Sequence, residues 1–125
     1  MSFVTKQRSL AADVMAPDGS EVRILAATAR GSMAQFTLPA GAISKAVAHR
    51  SVEEVWLVTE GTGRMWRKLG AAEEVVELRP GLSISIPTGT HFQFRNDGDG
   101  PLHCVGVTMP PWPGMDEAYE VTGPW

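Results

Sequence analysis

Apolar and polar residues alternate with a period of two through much of this chain, most plainly in SISIP at 83–87 and HFQFRN at 91–96. That period puts successive side chains on opposite faces of an extended strand, so each such run predicts a strand with one buried face. The pattern predicts strands at 9–15, 21–28, 32–38, 45–50, 53–59, 63–69, 73–79, 82–87, 91–96 and 102–109. Between them lie turn-forming clusters: PDGS at 17–20, EGTG at 60–63, RPG at 79–81, PTG at 87–89 and NDGDG at 96–100. No run of ten or more residues carries a helical stripe with caps. VEEVWLV at 52–58 has some helical propensity, but its Val-rich run leads into EGTG and favours a strand. Many short strands at regular spacing imply an antiparallel sandwich or barrel. The tail at 110–125 is too Pro-rich for a central strand and reads as an arm lying over the barrel or over a partner subunit.

Composition narrows the function classes. The 125 residues suit one domain over 1–125, and 43% hydrophobic residues supply one core. No stretch approaches the roughly 20 consecutive apolar residues of a spanning helix, so no membrane is expected. A net charge of −3 gives no basic patch for nucleic acid. The opening MSFVTKQRSL lacks the apolar core of a secretory signal, and the lone Cys104 has no internal disulfide partner. Both features lead us to expect a cytoplasmic location.

Two segments carry more than pattern. GAISKAVAHRSVEEVWLVTEG runs from Gly41 to Gly61, and GLSISIPTGTHFQFRN from Gly81 to Asn96. The first resembles the first conserved motif of the cupins: Gly, a His-x-His pair, a Glu four or five residues on, then a closing Gly. The second resembles their second motif, in which Gly, Pro-x-Gly, His and Asn follow at fixed spacing. The resemblance implies an all-β fold, the double-stranded β-helix or jelly-roll barrel of antiparallel strands, with a pocket between its sheets.

The resemblance further implies a metal site of three His and one Glu, from which this chain departs. Val47 stands at the first His position, His49 at the second, Glu54 at the Glu position and Phe92 at the third His position. His91 lies one residue from that third position, and strand parity turns it away from the face shared by Phe92, Phe94 and Asn96. A bulge near Thr90 would turn it inward.

With the family's inward face retained, Trp56 shares the inner surface with His49, Glu54, Phe92 and Phe94, while Glu53 faces out. An apolar surface with a few polar groups is how small-ligand sites look. It is also how an ordinary core looks, and any one of these rings reads first as core. His103 reads as an ordinary strand residue, Cys104 as a small buried hydrophobe, and Trp112 and Trp125 as seals of the barrel or of an interface. A two-residue hairpin at Glu60-Gly61 or at Gly61-Thr62 would place Met65 and Arg67 on the inner face with Glu54; a three-residue loop would turn Trp66 inward instead. Under the two-residue registers Arg67 neutralises Glu54 without metal and offers its other donors to a ligand.

Three functions follow. The favoured one is a barrel binding a small organic ligand, acidic or polyhydroxylated, through His49, Glu54, Trp56, Met65, Arg67, Phe92 and Phe94, with no cofactor. The alternative is a metal-dependent isomerase or dioxygenase in which His49, Glu54 and His91 hold Fe, Mn, Ni or Zn. The third is a structural or regulatory module whose barrel is filled by side chains. Exposed sheet edges and the family resemblance together imply a homodimer.

Overall fold

A computed structural model describes residues 2–125. Its strands are β1 (Val14–Met15), β2 (Glu21–Thr28), β3 (Gly31–Leu38), β4 (Val47–His49), β5 (Glu53–Glu60), β6 (Gly63–Leu69), β7 (Ala72–Leu78), β8 (Ser83–Ile86), β9 (His91–Asn96) and β10 (Leu102–Met109). One 3-10 turn at Met115–Glu117 precedes β11 (Ala118–Glu120). They form two antiparallel sheets, ordered β1-β2-β3-β10-β5-β8 and β11-β4-β9-β6-β7. This is the double-stranded β-helix that the two sequence motifs imply. Among the described residues no helix is long and apolar enough to cross a membrane.

The period-two pattern decides which side chains fill the space between the sheets. In β5, Glu54, Trp56 and Val58 are buried while Glu53, Val55 and Leu57 are exposed. In β10, Leu102, Cys104, Gly106 and Thr108 are buried in the same alternation. Val47, Met65, Phe92 and Phe94 meet them from the opposing sheet, and together they form one apolar core. Burial of Cys104 pushes its thiol up to about 12, so it stays protonated as a packing group.

Two polar side chains of the second motif fasten the barrel. Asn96 donates to the carbonyls of Leu38 (2.9 Å) and Gly100 (2.8 Å) and accepts from the Gly98 amide, so it ties the 96–100 turn to β3. Gln93 donates to the carbonyls of Ser44 and Trp125 and accepts from the Trp125 amide, which pins the tail on the barrel's outer side. The tail therefore lies over the chain's own barrel, and its β11 pairs with β4 at the sheet edge.

Three sequence expectations are corrected. The strand expected at 9–15 is reduced to Val14–Met15. Upstream, the Arg23 guanidinium takes the carbonyls of Ser9 and Leu10, occupying groups that a longer ladder would need. Residues 45–50 contribute only Val47–His49 to β4. The EGTG segment does not close a hairpin: β5 pairs with β10 and β8, whereas β6 pairs with β7 and β9. It is a corner carrying the chain from one sheet to the other. Gly61 has φ 88°, and a Cβ there would run into the Pro101 carbonyl, so the corner requires glycine on both counts.

Candidate functional site

At one end the core gives way to a cavity of about 240 Å³. Phe36, Val47, His49, Glu54, Trp56 and Phe92 line its floor. Thr108, Trp112, Met115 and Ala118 also line the cavity, as do Val14, Met15, Asp18, Met33 and Ala34 from the N-terminal part of the chain. The aromatic floor depends on a glycine. Gly106 lies opposite both Trp56 and Ala34 in the sheet, and a Cβ there would come within 2.7 Å of Phe36 and 2.8 Å of Trp56. Without it, Phe36 and Trp56 stack at 4.8 Å across the bare strand. Phe94 meets Trp56 edge-on at 5.1 Å from below, and Phe92 and Trp112 flank His49 at 5.2 and 5.3 Å.

The polar groups converge on Glu54. Thr108, its directly opposed neighbour on β10, donates its hydroxyl to Oε1 at 2.9 Å. His49 Nδ1 lies 3.2 Å from Oε2, in contact but not aligned as a hydrogen bond, and is left buried without a partner. The Trp56 indole N–H is likewise buried beside Glu54, near enough to favour its carboxylate but without completing a hydrogen bond. Burial pushes Glu54 up to about 7 against the pull of Thr108 and Trp56, with Asp18 and Glu117 adding to the rise. Burial lowers His49 to about 4, a little offset by the charge of Glu117. His49 is therefore neutral near pH 7, and Glu54 holds its proton much more tightly than a solvated carboxyl. Asp18 is also raised by burial, although Ser20 gives its Oδ1 two hydrogen bonds of 2.9 and 2.7 Å.

The wall formed by the tail is latched. Glu117 accepts the amides of Ser51 (2.7 Å) and Val52 (3.2 Å) and the Ser51 hydroxyl. Burial raises its carboxyl, yet these hydrogen bonds together hold it below the usual range. Arg50 adds a bond to the Asp116 carbonyl, and the Trp112 amide donates to Ser32 Oγ at 3.0 Å. Trp112 and Met115 are thereby fixed against the cavity.

Of the residues singled out from sequence, His49, Glu54, Trp56 and Phe92 meet in this cavity. Met65 and Phe94 point inward as expected, fully buried in the core rather than lining the cavity. Arg67 does not reach Glu54. It lies opposite Phe92 on β6, as parity requires, but its guanidinium bonds the Ser85 carbonyl at 2.7 Å and pairs with Glu74 in a separate cleft. The expectation failed because β6 is not the hairpin partner of β5. His91 lies opposite Lys68 and is absent from the cavity lining; β9 has no bulge to turn it inward.

The metal site implied by the sequence resemblance does not fit these residues. His49 and Glu54 are two donors, and the other two positions are hydrocarbon: Val47 and Phe92, 2% and 1% exposed. Among the described residues no three His, Cys, Asp or Glu side chains group so as to hold a metal ion. Sequence reasoning missed Phe36, Asp18, Thr108 and Met115. A cross-strand pairing of residues 54 and 108 leaves no local signal.

Two antiparallel sheets closing around a core and a cavity define a double-stranded β-helix barrel. The cupin-domain family model Cupin_2 matches residues 34–108, and the chain belongs to that family. A relative in Methanocaldococcus jannaschii, the uncharacterized protein MJ1618, is 25% identical over 114 residues, 91% of this chain and 83% of that protein. Among solved structures, an uncharacterized conserved double-stranded β-helix protein of Klebsiella pneumoniae is similar with TM-score 0.69 at 16% identity, over 90% of this chain and 99% of that one. The capsular polysaccharide assembling protein CapF of Staphylococcus aureus gives 0.69 at 18%, over 94% of this chain and 35% of CapF. Oxalate decarboxylase of Bacillus subtilis gives 0.70 at 16%, over 82% and 28%. The chain thus spans about a third of each of these last two proteins, and the likeness concerns the fold.

Proposed function

We propose that this cupin binds a small, predominantly apolar organic molecule in the cavity between its sheets and does so without a metal. The observation that carries the reading is the unfilled aromatic floor, Phe36 stacked on Trp56, beside a lone cluster of polar atoms around Glu54. A core meant only for stability would be filled, since packed interiors leave few voids larger than a water molecule. A cavity of about 150 Å³ holds benzene, so 240 Å³ suits one ring with a short substituent. An acidic ligand loses its support because Arg67 lies elsewhere and no Lys or Arg lines the cavity. Benzyl alcohol is a suitable probe: it should raise the melting temperature of the wild type and leave Ala34→Phe, which fills the cavity, unmoved. Equal shifts in both proteins would refute cavity binding.

The protein acts as a homodimer in the cytoplasm under this proposal. Val55 and Leu57 are exposed on the outer face of β5, an apolar surface that a second copy would cover. Light scattering should give about twice the 13.5 kDa chain mass, and the monomer mass at micromolar concentration would contradict it.

A further inference from the structure

Glu54 is a buried carboxyl group with no cation. Its Oε1 has Thr108, the nitrogens of His49 and Trp56 lie beside it without completing hydrogen bonds, and the guanidinium expected to neutralise it is engaged by Glu74 and Ser85. A second carboxyl group, Asp18, lines the same cavity, and both of its hydrogen bonds fall on Oδ1. Among the described residues no Lys or Arg lines the cavity to balance them. The rest of the lining is largely apolar: the rings of Phe36, Trp56, Phe92 and Trp112, methionine thioethers, and aliphatic side chains such as Ile24 and Val47. Carboxyl groups beside aromatic faces in a largely apolar cavity make a poor environment for an anion and a favourable one for an organic cation. Ring quadrupoles attract positive charge, and a buried carboxylate is costly until a cation pairs with it.

We propose that the cavity's ligand is a small organic amine, bound as its ammonium ion with the nitrogen directed at Glu54 and the apolar part against the Phe36–Trp56 stack. The inference rests on the cavity-binding reading above and adds the chemical class of the ligand. The unpartnered Trp56 and His49 nitrogens flank the same carboxyl group. They leave the ammonium and Glu54 to supply the principal contact, because neither nitrogen completes a hydrogen bond that would occupy the carboxylate.

Three probes of one size separate the two ideas: benzylamine, benzyl alcohol and benzoate, titrated calorimetrically at pH 7.5 into the full chain. Benzylamine should bind about tenfold more tightly than benzyl alcohol, with benzoate weakest. Glu54→Gln, which keeps the side chain's shape, should bring amine and alcohol to within about threefold of each other while leaving alcohol affinity nearly unchanged. If benzyl alcohol binds as tightly as benzylamine in the wild type, or if Glu54→Gln leaves their ratio intact, the amine inference is wrong and the cavity reading survives. If benzoate binds best, the charge argument is inverted and the inference is equally overturned. Binding of none of the three removes the cavity reading and the amine inference together. A melting curve of Glu54→Gln at pH 5 confirms that the variant is folded.

Discussion

Replacing Glu54 by Gln should change how stability depends on pH, and the sign follows from burial. The unfolded chain releases the Glu54 proton near 4.5, whereas the folded protein keeps it until about 7. Below 4.5 both states carry the proton and the folded state bears no penalty. Between 4.5 and 7 the folded state binds more protons than the unfolded one, so stability falls as pH rises. At 1.36 kcal/mol for each pH unit, the loss between pH 5 and pH 8 is about 2–3 kcal/mol. His49 acts in the opposite sense. Its folded value of about 4 lies below the unfolded 6.5, so its contribution rises with pH across that interval. The two offset each other between about 4.5 and 6.5, which hides the Glu54 effect in the wild type alone. The difference between wild type and Glu54→Gln exposes it. Urea unfolding of both proteins at pH 5, 6, 7 and 8, without ligand, should show the variant gaining about 2–3 kcal/mol relative to wild type as pH rises. Parallel curves within about 0.5 kcal/mol would mean that Glu54 is solvated as an ordinary carboxylate rather than buried.

Gly106→Ala should destabilise the fold by about 1–3 kcal/mol, because the new Cβ displaces Phe36 or Trp56; an unchanged melting temperature and near-UV circular dichroism would show that the stack is not so confined. Glu117→Gln should cost about 1–3 kcal/mol and speed amide exchange in residues 110–120, since the arm loses its charge-assisted latch; unchanged exchange there would place the latch elsewhere. Fe(II), Mn(II), Ni(II) and Zn(II) should each leave the wild-type melting temperature nearly unmoved. The double variant Val47→His with Phe92→His, which supplies the missing donors, should gain several degrees with metal, as a site occupied at a hundred times its dissociation constant adds about 2.7 kcal/mol.

The parts of this molecule that were legible in the sequence are those governed by local alternation. Period-two parity put Glu54, Trp56, Phe92 and Phe94 inside and Glu53 outside, and each is where parity sends it. The spacing within the first motif brought His49 and Glu54 together across a five-residue separation. What could not be read is which strands become neighbours. Gly61 belongs equally to a hairpin and to an inter-sheet corner, and only the pairing of β5 with β10 decides between them. From that one choice follow the displacement of Arg67 to Glu74 and the arrival of Thr108 at Glu54. Gly106 reads as a weak strand residue in sequence; its role appears only when Phe36 and Trp56 are seen on either side of it. Trp112, read as a seal, is one, and the latch that makes it so lies five residues later at Glu117.

The most direct test of a metal-free ligand cavity is a crystal structure of the protein as purified, with elemental analysis of the same sample and an anomalous difference map over His49 and Glu54. The account predicts substoichiometric metal, no anomalous peak between those two side chains, and density for an organic molecule against the Phe36–Trp56 stack. A stoichiometric metal bonded to His49 and Glu54 would contradict it.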